Sequence, residues 1–131
     1  MKRRFQGLSS TAQPEPDVPD GVFLVRVTRV QYRRQRQKPF YELELSILDP
    51  LPLKDRLLSG RVYCTPKALW KLSWFLRDFG YDSDLLGRDE IEEKALIGLQ
   101  GVVKVSRVVV HGRPLLNLDA FAPATAWEVA S

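Results

Sequence analysis

The segment TPKALWKLSWFLRDFG, residues 65–80, carries the clearest structural signal in the sequence and decides the fold. Thr65 can cap the start of a helix, Pro66 suits the first helical position, and Gly80 suits the residue that ends it. The apolar residues between them recur at helical spacing and share one face: Leu69, Leu72, Phe75, Leu76 and Phe79. This pattern predicts one amphipathic helix whose apolar face covers a core.

β-Strands are predicted on both sides of this helix. Five segments have the alternation or the Val-rich composition of strands: 22–31, 40–48, 60–65, 100–110 and 114–121. The last two form a hairpin around a turn at His111, Gly112 and Arg113. A second short helix fits residues 89–96.

Five strands with a helix between the third and the fourth follow the element order of the OB fold, a Greek-key barrel. The sequence therefore predicts a mainly β protein, a five-stranded OB-fold barrel capped by the helix. We place this domain at residues 21–123, after a disordered N-terminal tail at 1–20 and before a C-terminal tail at 124–131. An SH3-like barrel or a small α+β sheet could use the same elements, but neither accounts for so long a helix after the third strand.

Catalysis is disfavoured by the composition. A single cysteine, Cys64, rules out a disulfide framework and a cysteine-based zinc site, and a single histidine, His111, disfavours a histidine-rich metal site or a histidine-based triad. The acidic residues between 82 and 93 lack the spacing of a calcium loop, and we interpret Asp89 and Glu90 as a solvated helix start. We therefore expect no enzyme activity, no cofactor and no metal ion.

The cellular location is inferred from the same composition. No stretch is apolar for the length needed to cross a bilayer, and no apolar region follows the basic N-terminus as it would in a signal peptide. A single cysteine suits a reducing compartment. We expect a cytoplasmic protein without a membrane partner.

Positive charge is concentrated in the first third of the chain. The net charge is +4, but residues 1–40 hold nine Lys or Arg against three acids, a net +6. Residues 41–131 hold eleven Lys or Arg against thirteen acids, a net −2. So local an excess is the electrostatic footprint expected for binding a polyanion.

The predicted loop between the first two strands places cations between two aromatic residues: Tyr32, Arg33, Arg34, Arg36, Lys38 and Phe40. Binders of single-stranded nucleic acids need both types, because cations contact phosphates and aromatic rings stack on unpaired bases. The predicted loop between strands four and five adds Arg107, His111 and Arg113, and these two loops flank the binding groove of OB folds. The other interpretation is a solvated, charged hairpin tip.

Strand residues complete the candidate nucleic-acid site. Arg26, Arg61 and Tyr63 are expected on the outer surface of the strands, opposite the core. Glu42 and Glu44 would repel phosphate if they share that surface. Either the nucleic acid is offset toward the loops, or these acids pair with Arg26 and Arg61.

Trp70 and Trp74 are i, i+4 neighbours on the helix face away from the apolar stripe. Three interpretations stay open for them. The N-terminal tail or the 89–96 segment covers them, they form an interface with a second copy or another protein, or they stack on bases.

Several short motifs together resemble a known family. They are GVFLV at 21–25, YELEL at 41–45, GRV at 60–62, FG at 79–80, LLG at 85–87, GVVKV at 101–105 and LNL at 116–118. This succession resembles the phage and prophage family of OB-fold single-stranded-DNA-binding proteins. The resemblance implies that the chain coats DNA in phage replication or recombination, in the host cytoplasm if it is phage-encoded. The end of the chain, WEVAS at 127–131, departs from the acidic tail with an aromatic tip that many such proteins carry.

The sequence thus predicts a non-catalytic protein that binds single-stranded DNA with little sequence preference, with RNA as a second ligand to test. A second copy of the chain or a replication or recombination protein is the candidate protein partner. The alternative is an OB-fold interaction module that docks such a protein through Trp70 and Trp74 and has no direct DNA role.

Overall fold

A computed structural model describes residues 18–36, 38–110 and 112–130. They form five strands: β1 Gly21–Gln35, β2 Lys38–Asp49, β3 Leu57–Tyr63, β4 Gln100–Val110 and β5 Arg113–Pro123. They also form four helices: α1 Leu69–Asp78, α2 Ser83–Gly87, α3 Glu93–Leu96 and α4 Ala124–Ala130. The prediction of a mainly β chain with a helix between the third and fourth strands is confirmed. None of the helices in the described ranges is long and apolar enough to span a membrane.

All five strands form one antiparallel sheet in the order β3-β2-β1-β4-β5. Within the described residues the sheet is not closed, because its outermost strands β3 and β5 are not hydrogen-bonded to each other. The two strands still approach closely. A Cβ atom added to Gly60 of β3 would lie 2.6 Å from the side chain of Leu118 in β5. A larger residue at position 60 would have to displace the Leu118 side chain, so the two edges of the sheet converge here.

The core lies on one face of the sheet, under α1. Alternate residues of β1 and β2 are inaccessible there, among them Val25, Leu43 and Ile47. Helix α1 adds Phe75, which contacts the ring of Phe121 in β5 at a centroid distance of 5.4 Å. Burial of these side chains supplies the main driving force for folding, at about 1.5–3 kcal/mol for each large apolar residue.

The start of α1 differs from the prediction. A 3₁₀ turn at Pro66–Ala68 precedes the helix, and the Thr65 carbonyl accepts the backbone N–H of Ala68 at 2.8 Å. The Thr65 hydroxyl makes no cap bond, so the predicted cap is wrong. The helix consequently begins at Leu69, which is 49% exposed although the helical pattern placed it in the core.

The predicted end of α1 is confirmed. Gly80 has φ +81°, a conformation that favours glycine. Its N–H bonds the carbonyl of Arg77 at 3.3 Å, and the N–H of Tyr81 bonds that of Leu76 at 2.9 Å. This pair of bonds forms a Schellman-type stop.

The acidic segment between α1 and β4 also differs from the prediction. The helix expected at 89–96 is a single turn, α3, and the unexpected helix α2 precedes it. Asp82 caps α2, because its carboxylate accepts two backbone N–H groups at 2.8 and 3.1 Å. Asp89 has φ +58°, and Glu90 follows it before α3 begins, so the predicted helix start at these two residues is wrong.

Ordered structure continues beyond residues 21–123 in both directions. Residues 1–17 of the predicted N-terminal tail lie outside the described residues, but Val18 is buried in the core. At the other end the predicted tail at 124–131 contains α4, whose Trp127 donates its indole N–H to the carboxylate of Asp49.

Candidate nucleic-acid interface

The segment predicted as a loop between the first two strands is instead a two-stranded β-ribbon. β1 and β2 stay paired as far as Gln35 opposite Lys38, so only two residues of the sequence separate the paired strands. Aromatic pairing helps to extend the ribbon, because Tyr32 lies opposite Tyr41 with their rings 5.3 Å apart in an edge-on arrangement. We call this ribbon, residues 28–36 and 38–44, the β1–β2 arm.

The two aromatic residues predicted to bracket one site lie on opposite faces of this arm. Phe40 pairs with Arg33, whereas Tyr32 pairs with Tyr41, whose ring belongs to the core side. Successive residues of a strand point to opposite faces, so Tyr32 and Arg34 are on the core side and Arg33 and Phe40 are not. The predicted single cluster is therefore divided by the register of the strands.

Tyr32 borders a polar depression that runs along β1 in the arm and is lined by residues of both faces. Its volume is about 370 Å³, and Arg33 and Glu93 also line it. Tyr32 is 48% exposed there. The carboxylate of Glu93 disfavours a phosphate in this depression.

The opposite surface of the sheet carries most of the predicted strand residues. We call it the outer face, formed by Arg26, Arg29, Arg33, Phe40, Glu42, Glu44, Arg61 and Tyr63. Its four arginines, Arg26, Arg29, Arg33 and Arg61, are exposed. Strict alternation would turn Arg29 inward with Val25 and Val27, but a register shift between Val27 and Arg29 turns it outward. Arg29 was therefore not predicted on this face.

Phe40 supports the outer face from beneath. Its ring is only 1% exposed although it lies away from the core cluster. The guanidinium carbon of Arg61 lies 4.5 Å from the ring centroid, and the ring of Tyr63 lies 5.5 Å away. Because these two side chains cover Phe40, the ring available to a ligand is that of Tyr63, which is 37% exposed.

Both acids of the outer face have partners that were not predicted. The carboxylate of Glu42 accepts the Nε–H of Arg33 at 2.9 Å, and that of Glu44 accepts the Thr28 hydroxyl at 3.0 Å. The predicted alternative in which these acids pair with Arg26 and Arg61 is therefore wrong for the described side chains. The acids are thus held by β1, and Arg61 donates instead to the amide oxygen of Gln35 at 3.4 Å.

Of the predicted second loop, only the side chain of Arg107 is described. Arg107 is in β4, and its guanidinium donates to the carbonyl of Val18 at 2.9 Å, which fastens the N-terminal segment to the sheet. His111 lies outside the described residues, and only the backbone of Arg113, at the start of β5, is described. The β1–β2 turn and the β4–β5 turn lie near opposite ends of β1, because β4 runs antiparallel to β1 with Gly21 opposite Val105.

A groove that the sequence did not predict lies where β3 leads into α1. Its volume is about 560 Å³, and it is lined by Lys38, Tyr63, Thr65, Pro66, Lys67 and Ala68. We call it the β3–α1 groove. It depends on the 3₁₀ turn at Pro66–Ala68, which the helical pattern did not indicate.

The two tryptophans of α1 have different environments. Trp74 packs edge-on against Phe121 at 5.7 Å and donates its indole N–H to Asp78 at 2.8 Å, so its predicted place on the outer helix face is wrong. Trp70 stacks on Trp74 at 6.2 Å and remains 63% exposed. Residues 89–96 therefore do not cover Trp70.

Two described side chains have a pKa shifted by burial. Burial raises the pKa of Tyr41 to about 12 and also raises the pKa of the Cys64 thiol, so both stay neutral at pH 7. Across the described ranges, no three His, Cys, Asp or Glu side chains come together as a metal site would require.

Comparison with known proteins assigns no family to the chain. No family model matches its sequence, and no curated protein matches it. The case for a function therefore depends on the residues and the geometry described above.

Proposed function

We propose that this protein is a non-catalytic single-stranded-DNA-binding protein that coats unpaired DNA in replication or recombination. The observation that carries the proposal is the outer face, where Arg26, Arg29 and Arg61 are exposed along the strands and the ring of Tyr63 is partly exposed on the same face. Phosphates are bound by such cations, and unpaired bases stack on exposed aromatic rings.

The proposal includes an OB fold. The observed order β3-β2-β1-β4-β5 is the order of an OB barrel opened between its third and fifth strands. The close approach of Gly60 to Leu118 supports this assignment, since it brings those two edges together. In OB folds the surface of strands two and three binds oligonucleotides, and here that surface is the outer face.

The contacts of Glu42 and Glu44 support nucleic-acid binding at the outer face. A carboxylate beside the arginines repels phosphate, but Arg33 offsets the charge of Glu42. Glu44 keeps its charge because its partner Thr28 is neutral, and the other three arginines of the outer face outnumber it. The remaining cations, with one aromatic ring, recognise features that every nucleotide shares. We therefore expect little sequence preference.

The resemblance of the sequence motifs to phage and prophage single-stranded-DNA-binding proteins supports DNA as the ligand. The test is a fluorescence-anisotropy titration with a labelled oligo-dT, the matching RNA and a duplex at two salt concentrations. We expect the oligo-dT to bind more tightly than the duplex and to weaken steeply with salt, with a slope of about −0.7 per phosphate contact. Equal affinity for single strand and duplex at both salt concentrations would contradict the proposal.

A second candidate function is supported by Trp70. This side chain is 63% exposed on a helix, and tryptophan is enriched at the centres of protein interfaces. The candidate is an interaction module that docks a second copy or a replication protein. A Trp70→Ser variant that changes the mass in solution while retaining DNA binding would favour an interface at this position.

A further inference from the structure

We propose that the β3–α1 groove is a nucleotide subsite that takes one unpaired base against Tyr63, between phosphates held by Lys38 and Lys67. This inference rests on the proposed function and specifies where the strand leaves the outer face. The groove volume of about 560 Å³ falls within the range of small-molecule sites, about 300–1,000 Å³.

The ring of Tyr63 is held in place before any ligand binds. It contacts Phe40, whose ring is 1% exposed and is itself covered by the guanidinium of Arg61. A side chain fixed in this way loses little conformational entropy when a base stacks on it. Tyr63 is therefore a better stacking surface than a ring on a solvated loop.

The charges of the groove suit a nucleic acid strand. Lys38 belongs to β2 and Lys67 to the 3₁₀ turn after β3, so the two cations reach the groove from different elements. The six described residues that line the groove include no acid. A strand that crosses the groove carries a phosphate on each side of every base, and the groove supplies two cations from different elements to bind them.

The uncharged polar groups of the groove would not select among bases. They are the hydroxyls of Thr65 and Tyr63, and the Thr65 hydroxyl is not engaged in capping the 3₁₀ turn. A hydroxyl can donate or accept a hydrogen bond, so it can adapt to the edge of any base. Pro66 and Ala68 add apolar surface with no hydrogen-bonding pattern from their side chains.

The test compares two pairs of variants of the full chain in the oligo-dT titration at two salt concentrations. Tyr63→Leu removes the stacking ring, and Tyr63→Phe keeps it. Lys67→Ala removes a groove cation, and Lys71→Ala removes the same charge one helical turn away, outside the groove lining. Melting curves show that each variant is folded.

We expect Tyr63→Leu to weaken binding by about 5- to 150-fold and Tyr63→Phe to leave it nearly unchanged. We expect Lys67→Ala to reduce the salt slope by about 0.7, and Lys71→Ala to leave it as in the unchanged protein. If the unchanged protein binds oligo-dT, and both Tyr63→Leu and Lys67→Ala bind it with the affinity and salt slope of the unchanged protein, the subsite is wrong and the proposed function stands. If the unchanged protein does not bind oligo-dT, both proposals are overturned.

Discussion

Two aromatic clusters lie on the two faces of the same sheet, and they differ in what encloses them. The core cluster of Phe75, Phe79 and Phe121 has centroid distances of 4.7–5.9 Å and is buried by the sheet and α1. In the outer cluster, the ring centroids of Phe40 and Tyr63 lie at a similar distance, 5.5 Å. Arg61 covers the Phe40 ring, but the Tyr63 ring is partly exposed to solvent. Aromatic residues therefore stabilise the fold where they are enclosed and remain available to a ligand where one ring is uncovered.

The largest effect that separates the two clusters is on stability. Phe75→Ala should lower the free energy of unfolding by about 3–5 kcal/mol, because it opens a cavity among packed rings. The folded fraction should still bind oligo-dT normally. Tyr63→Leu should cost less than about 1.5 kcal/mol, because the apolar cover of Phe40 is largely kept. Urea denaturation measures both values, and equal losses would mean that the clusters do not differ in role.

The tryptophans of α1 sharpen the same distinction within one helix. Trp74→Ser should lower the free energy of unfolding by about 2–4 kcal/mol, because Trp74 packs on Phe121 and bonds Asp78. Trp70→Ser should cost under about 1 kcal/mol, since its side chain is 63% exposed. Thermal melts of the two variants provide the comparison. A large loss for Trp70→Ser would indicate that a part of the chain beyond the described residues covers it.

The smallest effect concerns two arginines on opposite faces of the β1–β2 arm. Arg29→Ala on the outer face should reduce the salt slope of oligo-dT binding by about 0.7, whereas Arg34→Ala on the core side should not change it. Both side chains are exposed, so neither change should shift the melting temperature by more than a few degrees. Titration at several salt concentrations measures the slopes. Identical slopes for the two variants would argue against a single binding face.

Local pattern was sufficient for much of the fold. Alternation in β2 identified a strand with Leu43, Leu45 and Ile47 buried, and these three are inaccessible. Gly80 was identified as the end of α1, because a left-handed residue there is a local property of the chain. Both features depend on residues within a few positions of one another.

The site depended on relations that are not local. Tyr32 and Phe40 were predicted together, but the register of β1 against β2 divides them between two faces. The register shift before Arg29 breaks the period of two, so no alternation rule could place its side chain outward. The role of Arg107 depends on Val18, which is 89 residues away in the sequence. Pairing across strands decides such positions, and a single sequence does not reveal it.

The most direct test of the proposed binding face is a two-dimensional ¹H–¹⁵N NMR titration of the full chain with a short oligo-dT. We expect the largest shifts on the outer face, at Arg26, Arg29, Arg61 and Tyr63. The indole N–H signal of Trp74 should stay in place, because Trp74 is held against Phe121 and Asp78 on the other side of the sheet. Shifts confined to the tryptophan indoles of α1, with none on the outer face, would contradict the account.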